Sequence, residues 1–463
     1  MLFLNRRDEL AALDGLADAR GGLAVVWGRR RLGKTRLLLE WCARRKGLYT
    51  TADQSSPETQ RAYLARAIAD VLPGFADVTY PDWERLLTRL AADAAARAFR
   101  GPVVIDELPY LVAASPELPS VLQRWIDHDA QRAGLVVALA GSSQRMMQGL
   151  VLSAEAPLYG RARVLIDLAP LGPRHMASAL RVGGVPLVEH WTAWGGVPRY
   201  WELAADVKGP ARARVAALVL DPIGPLFSEP ERLLLEESPP AGEVRPLLDA
   251  IGAGAHRLSE IAGRMARPAT SLSRPLDRLV GMGLVRREAP YGEPARGGKR
   301  SIYRIDDPFL RFWFRVVAPR RAALIAGSRA SRLATLAPHW DALVALAWED
   351  LCRQAVPRLT RGALARVGPW QPAQRYWRGD EPEWDLVADA VEGSRTLLGE
   401  AWFSRRPATR AVLERETARL AARPAPPPTA GRQIVRALFV PRRQKGDLRR
   451  IGDVHVVTLD EMI

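Results

Sequence analysis

Gly28-Arg29-Arg30-Arg31-Leu32-Gly33-Lys34-Thr35 decides the fold. The octapeptide fits the phosphate-binding pattern G-x-x-x-x-G-K-[ST] at every position. An apolar run, Leu23-Ala24-Val25-Val26-Trp27, leads into it, and Arg36-Leu37-Leu38-Leu39-Glu40-Trp41 continues with helical character. A strand, a loop and a helix in that order are what the motif requires. Gly28 and Gly33 let the backbone curl until its N–H groups face a phosphate. Arg29, Arg30, Arg31 and Leu32 complete the cradle, which runs on to Arg36. The helix that starts near Lys34 adds its positive N-terminal end. Lys34 is expected to reach the β- and γ-phosphates as a point charge. Thr35 is expected to offer its hydroxyl to Mg²⁺.

Such a loop needs a partner carboxylate. Pro102-Val103-Val104-Ile105-Asp106-Glu107 is a short apolar run ending in two acids. A β-branched run of that length reads as a buried parallel strand. Asp106 then stands at its carboxyl end, where ligands bind in open α/β sheets. It is assigned to Mg²⁺, directly or through water. Glu107, one residue further into the cleft, is the expected water-activating base.

The chain has 463 residues, 48% of them hydrophobic, enough for two to four domains with buried cores. No apolar run approaches the length of a membrane span. The start, Met1 to Leu10, is too short and too soon charged for a signal peptide. Cys42 and Cys352 lie far apart and form no metal-ligand spacing, so buried free thiols in a reducing cytoplasm are expected. The formal net charge is +16, which favours nucleic acid or another polyanion. Only five of the 67 basic residues are lysine, a bias that a skewed genome composition also produces. The position of the charge therefore carries more weight than its total.

Residues 1–170 alternate apolar strands with helical stretches, as a parallel α/β sheet does. Asn5 precedes a helix with Leu10, Leu13 and Leu16 at helical spacing. Core strands are expected at 23–27, 102–106, 134–140 and 164–168, with a fifth near 47–50. After the fourth-strand candidate 134–140 comes Ser142, placed to sense a γ-phosphate or the attacking water, or else to cap a helix. Arg161, ahead of the last strand, is a candidate arginine finger, in cis or across a subunit boundary. Residues 171–240 read as a helical lid in which Pro198 either caps the adenine or marks a structural turn.

Residues 241–318 read as a winged helix-turn-helix followed by an aromatic hinge. Val244 to Ile251 forms a first helix, and Ser259 caps a second. A third runs from about Thr270 through Leu276 and Leu279, with Pro275 awkwardly inside it. A hairpin follows, its tip at 294–300. Residues 256–305 hold eleven Arg or Lys against four Asp or Glu. Ser273, Arg274 and Arg278 are expected to face the DNA major groove, and Arg296, Lys299 and Arg300 the phosphates. Protein docking is the competing use of such a module. Phe309, Phe312, Trp313 and Val316 share one helical face, which reads as a packing seam.

Seven segments together resemble a known family. They are NRRDEL (5–10), GRRRLGKT (28–35), VVIDELPYL (103–111), ALAGSSQRMM (138–147), PLYGRAR (157–163), GGVPRYW (195–201) and DPFLRFWFR (307–315). The chain resembles the archaeal-type P-loop ATPases of the AAA-like group, which join an ATPase, a helical lid, a winged helix and a C-terminal domain of unknown function. The resemblance implies ATP as the nucleotide. It also implies a fold similar to PD-(D/E)xK nucleases over 319–463, with Glu349, Asp385 and Glu400 at the metal-binding acidic positions. At the position of that site's lysine stands Trp402, which carries no charge. A degenerate nuclease domain is therefore expected.

The expected fold is α/β, a P-loop NTPase parallel sheet with helical lid, winged helix-turn-helix and a C-terminal α/β nuclease-like domain. The expected function is a Mg²⁺-dependent ATPase switch coupled to double-stranded DNA. An ATP-gated nuclease effector and a non-hydrolysing ATP-binding scaffold are the alternatives. A protein partner on the winged helix or C-terminal domain, self-association and no membrane contact complete the expectation.

Overall fold

The structure, a computed structural model, describes residues 3–19, 21–142, 144–237, 244–294, 298, 300–444, 446 and 449–463. The chain divides into two compact units. The first holds the described residues to Leu171 with Val197–Arg199 and Leu235–Glu237, and the second holds Gly172–Gly196, Tyr200–Leu234 and the described residues from 244 onward.

The first unit is built on five strands: β1 Gly22–Trp27, β2 Leu48–Thr51, β3 Val103–Asp106, β4 Val136–Gly141 and β5 Ala162–Asp167. All pair in parallel, in the order β2-β3-β4-β1-β5. The residues of β3 and β4 are all buried, which is why these strands read as continuous apolar runs rather than alternating ones. Helix Arg7–Asp18 covers the sheet with Leu10, Leu13 and Leu16. Its N-cap is Arg6 in the left-handed region, not Asn5, and no side chain caps it. Helix Lys34–Arg45 buries Leu37, Leu38 and Trp41. Helix Trp83–Ala96 contributes Trp83, Leu86, Leu87 and Leu90. One strand, β4, separates β1 from β3, so the residue after β4 stands between the phosphate loop and the carboxylate strand.

In the second unit, three helices, Arg245–Gly252, Leu258–Met265 and Ser273–Gly281, precede an antiparallel hairpin, β6 Val285–Glu288 with β7 Ile302–Ile305. Leu276 and Leu279 form the buried face of the third helix, and Leu272 is buried just ahead of it. That helix starts at Ser273, after a single 3₁₀ turn at Ala269–Leu272, rather than near Thr270. Pro275 therefore falls in its first turn, where a missing N–H costs no intrahelical bond. The second helix is capped by a box in which Glu260 Oε2 accepts from His256 N and Arg257 N, so Ser259 is not the cap.

Phe309, Phe312, Trp313 and Val316 are all fully buried. Phe312 meets Trp340 edge-on at 6.4 Å, and the Trp313 indole N–H donates to Phe227 O at 2.9 Å. The seam expected from sequence is thus a core shared by helices Gly184–Trp194, Pro308–Phe312 and Arg329–Ala355.

After the long helix Arg329–Ala355 comes a six-stranded mixed sheet. Its strands are β8 Gln374–Arg378, β9 Glu381–Asp389, β10 Arg395–Ala401, β11 Gln433–Val440, β12 Arg450–Ile451 and β13 Val454–Thr458, in the order β12-β13-β11-β10-β9-β8. β8, β9 and β10 form an antiparallel meander, and helix Arg410–Ala422 then crosses over so that β11 runs parallel to β10.

Candidate functional site

The phosphate loop leaves β1 at Trp27 and enters helix Lys34–Arg45. Gly28 has φ +135°, and a Cβ there would lie 2.8 Å from Leu168 O. Gly33 caps the helix at φ +94°. Both positions demand glycine. The buried Lys34 ammonium donates to Gly28 O at 2.6 Å and Arg29 O at 3.1 Å, folded back over its own loop. Leu32 is buried, while Thr35 and Arg36 are exposed in the first helical turn. The Arg30 guanidinium donates to Tyr110 Oη at 3.0 Å.

Asp106 ends β3 and is 1% exposed. Its Oδ2 accepts from Thr35 Oγ1 at 2.7 Å and from Tyr49 Oη at 2.8 Å, and its Oδ1 accepts from Glu107 N at 2.8 Å. Burial, and then the Asp106 carboxylate, push the Tyr49 hydroxyl well above its usual range, which keeps it a donor. Thr35 Oγ1 and Asp106 Oδ2 are adjacent hard oxygen donors. That pair suits Mg²⁺, which takes few protein ligands beside water and phosphate.

Glu107 has φ 55°. A non-glycine residue there costs about 1–3 kcal/mol, and such strain collects at functional sites. Ser142, immediately after β4, donates from Oγ to Glu107 Oε2 at 2.9 Å and Oε1 at 3.1 Å. Lys34, Thr35, Asp106, Glu107 and Ser142 therefore gather at the carboxyl ends of β1, β3 and β4. Pro198 is half-buried at the start of helix Pro198–Ala205 and belongs with this unit.

Arg6 is a member of this site that sequence reasoning overlooked. It is 5% exposed, and its guanidinium donates to Leu32 O at 3.0 Å, to Ala169 O at 2.8 Å and to Glu9 Oε1 at 2.9 Å. It thereby pins the phosphate loop to the segment after β5. The only signal in the sequence was the segment 5–10 that carries part of the family resemblance.

Arg161 is not an arginine finger in cis. It precedes β5, at the amino end of the parallel sheet, whereas the phosphate loop leaves the carboxyl end of β1. A six-residue strand separates the two by about 20 Å. Arg161 is instead forked onto Asp127, with Nε to Oδ1 at 2.8 Å and Nη2 to Oδ2 at 2.9 Å.

The basic module of the second unit is partly neutralised from within. Arg286 pairs with Glu288, with Asp306 at 3.0 Å and with Asp350 at 2.6 Å. Arg304 lies 3.7 Å from Glu288, Arg257 pairs with Glu260, and Arg300 is paired with Glu293 rather than standing free for phosphates. Arg296 and Lys299 lie outside the described residues. Ser273 and Arg274 are exposed, as expected, and Arg278 is half-buried. Arg264 and Arg267 are also exposed.

Burial opposes the charge on Asp350, yet Arg286, Arg311 and Arg353 together hold its carboxyl well below the usual range. This 4%-exposed carboxylate ties β6 and helix Pro308–Phe312 to the long helix.

The three carboxylates assigned to a second metal do not form a metal site. Among the described residues no cluster of three His, Cys, Asp or Glu is arranged to hold an ion. The Arg423 guanidinium occupies Glu400, Asp385 Oδ2 accepts from Ala401 N at 3.0 Å, and Arg353 lies 3.7 Å from Glu349. Burial, and then Asp385, raise both Glu349 and Glu400 above the usual carboxylate range. Trp402, at the lysine position, packs on the core of the six-stranded sheet.

Residues 3–203 match an ATPase domain family found predominantly in Archaea, and residues 313–417 match a family of archaeal and bacterial proteins of unknown function. The chain thus carries an archaeal-type ATPase domain together with a C-terminal domain of that second family. It is 28% identical over 328 residues to an uncharacterized protein of Methanocaldococcus jannaschii, covering 70% of this chain and 71% of the relative. A Walker-type ATPase of Pyrococcus abyssi aligns at 20% identity and a TM-score of 0.52, over 68% of this chain and 96% of its own, a likeness of fold. The ORC2 protein of Aeropyrum pernix, solved with ADPNP and ADP, aligns at 15% identity and a TM-score of 0.41, over 73% and 95%.

Proposed function

We propose that this protein is a Mg²⁺-dependent ATPase switch whose nucleotide state governs binding of double-stranded DNA. The observation that carries the hydrolytic part is the grouping of Lys34, Thr35, Asp106, Glu107 and Ser142 at one end of the sheet. The loop amides from Gly28 to Thr35 bind the phosphates, and Lys34 turns from its carbonyls to the β- and γ-phosphates. Thr35 and Asp106 hold Mg²⁺, which neutralises charge on the phosphates. Glu107 accepts the proton of the attacking water while Ser142 fixes its carboxylate. Pro198 borders the adenine.

The DNA part rests on the module of three helices and a hairpin, read as a winged helix-turn-helix. Ser273, Arg274, Arg264 and Arg267 are exposed on or just before its second and third helices, as a groove-reading surface requires. A protein partner is the second reading, favoured by the internal ion pairs of Arg286, Arg300 and Arg304. Steady-state ATP hydrolysis with and without duplex DNA separates the two. The switch predicts turnover stimulated by DNA, with binding that weakens steeply as salt rises. Turnover and binding indifferent to DNA move the partner to protein.

A further inference from the structure

The second unit holds a cavity of about 260 Å³ that the nucleotide reading does not use. One wall is apolar, made of Ile251 from the first helix of the three-helix module, Ile305 of β7, and Leu343 and Leu346 of the long helix. The remaining wall is cationic, with Arg304, Arg311 and Arg315, and among the described residues no acidic one lines the space. Two of these arginines are already matched, Arg311 by Asp350 at 2.7 Å and Arg304 by Glu288 at 3.7 Å. Arg304 Nε is nevertheless buried without a hydrogen-bond partner. The exposed Arg315 donates only to Gly252 O, at 3.4 Å, and has no carboxylate partner among the described residues.

The two histidines at the cavity register the same field. Burial, then Arg304, hold His256 below its usual range; burial, then Arg320 and Arg315, do the same to His339. Glu260 and Glu288 act on His256 in the opposite sense without reversing it. A hydrophobic pocket with a few convergent charges of one sign is the usual form of a small-molecule site.

We propose that this cavity binds a small amphipathic anion, an apolar body bearing one carboxylate or phosphate, with the anionic group on Arg315 and the body against Leu343 and Leu346. The occupant touches the three-helix module, β7 and the long helix at once. Its presence therefore favours one placement of the module on that helix, a ligand-selected state. The inference is independent of the ATPase and DNA readings.

Calorimetric titration of the full chain tests it, with benzoate and phenyl phosphate as probes and benzyl alcohol and acetate as controls. A Lys34→Ala background removes phosphate binding at the P-loop. The expected result is saturable binding of at least one aromatic anion, one per chain, with both controls at least about tenfold weaker. Binding of benzoate alone assigns an organic acid, and of phenyl phosphate alone a phosphomonoester. Arg315→Gln, at an exposed position, should weaken binding about tenfold or more. Ala342→Trp, also exposed and at the cavity wall, should abolish it by filling the space. No saturable binding of either anion, or binding unchanged in both variants, overturns the proposal.

Discussion

The Ser142 hydroxyl donates to both carboxylate oxygens of Glu107, at 2.9 and 3.1 Å. The two residues follow different strands, β4 and β3, and meet because those strands pair side by side in parallel. Glu107 is thus held by a neighbour at the same end of the sheet. Ser142→Ala should leave ATP affinity within about threefold and lower kcat by roughly ten- to a hundredfold, the scale of a misplaced catalytic group. Parallel binding and steady-state assays check this, and an unchanged kcat removes Ser142 from the positioning role.

Lys34 satisfies its buried ammonium on Gly28 O and Arg29 O. Lys34→Ala should therefore lose nucleotide binding by more than about tenfold, since charge-assisted hydrogen bonds to phosphate are worth about 1.5–3 kcal/mol each. Fluorescent ATP-analogue titration reads the loss directly. Retained affinity would mean that the loop amides alone hold the nucleotide.

Arg6 joins Leu32 O to Ala169 O from a buried position. Arg6→Ala should cost about 2–3 kcal/mol of stability, the loss expected for charged hydrogen bonds that leave buried carbonyls unmatched. Arg6→Lys should recover little of it, because an ammonium cannot reproduce the fork. Urea denaturation of the three proteins distinguishes this from a surface arginine, for which all three midpoints coincide.

Asp350 is a buried carboxylate held by three arginines. Asp350→Asn should destabilise the second unit by about 3–5 kcal/mol. The native carboxyl titrates well below its unfolded value, so its contribution is complete above the unfolded pKa. It fades as pH falls through the native one. Denaturation midpoints taken from neutral to acid pH should fall for the wild type, while the Asn variant starts lower and loses less. Equal slopes would contradict the assignment.

The parts of this molecule legible in the sequence are those encoded locally. A phosphate cradle is eight consecutive residues, and a buried parallel strand is a short apolar run, so Gly28–Thr35 and Val103–Asp106 stand where the sequence predicts. Arg161 shows the first limit, since its closeness to a strand in sequence does not say which end of the sheet that strand presents. The basic surplus of 256–305 shows the second. Arg286 is neutralised by Asp350, 64 residues away, and no count within the segment registers such a partner. Arg6, Tyr49 and Ser142 act through partners 26 to 163, 57 and 35 residues distant, which patterning does not reveal. The Asp385 carboxylate is near enough to raise both Glu349 and Glu400, but Arg423 is paired with Glu400 and Arg353 lies 3.7 Å from Glu349.

The central claim is that Glu107 activates water in an ATP-hydrolysing site. Single-turnover hydrolysis of ATP with Mg²⁺, by the wild type and by Glu107→Gln, tests it most directly. The account predicts that both bind ATP with similar affinity and that the variant hydrolyses it at least about a hundredfold more slowly. Equal rates in the two proteins would contradict it.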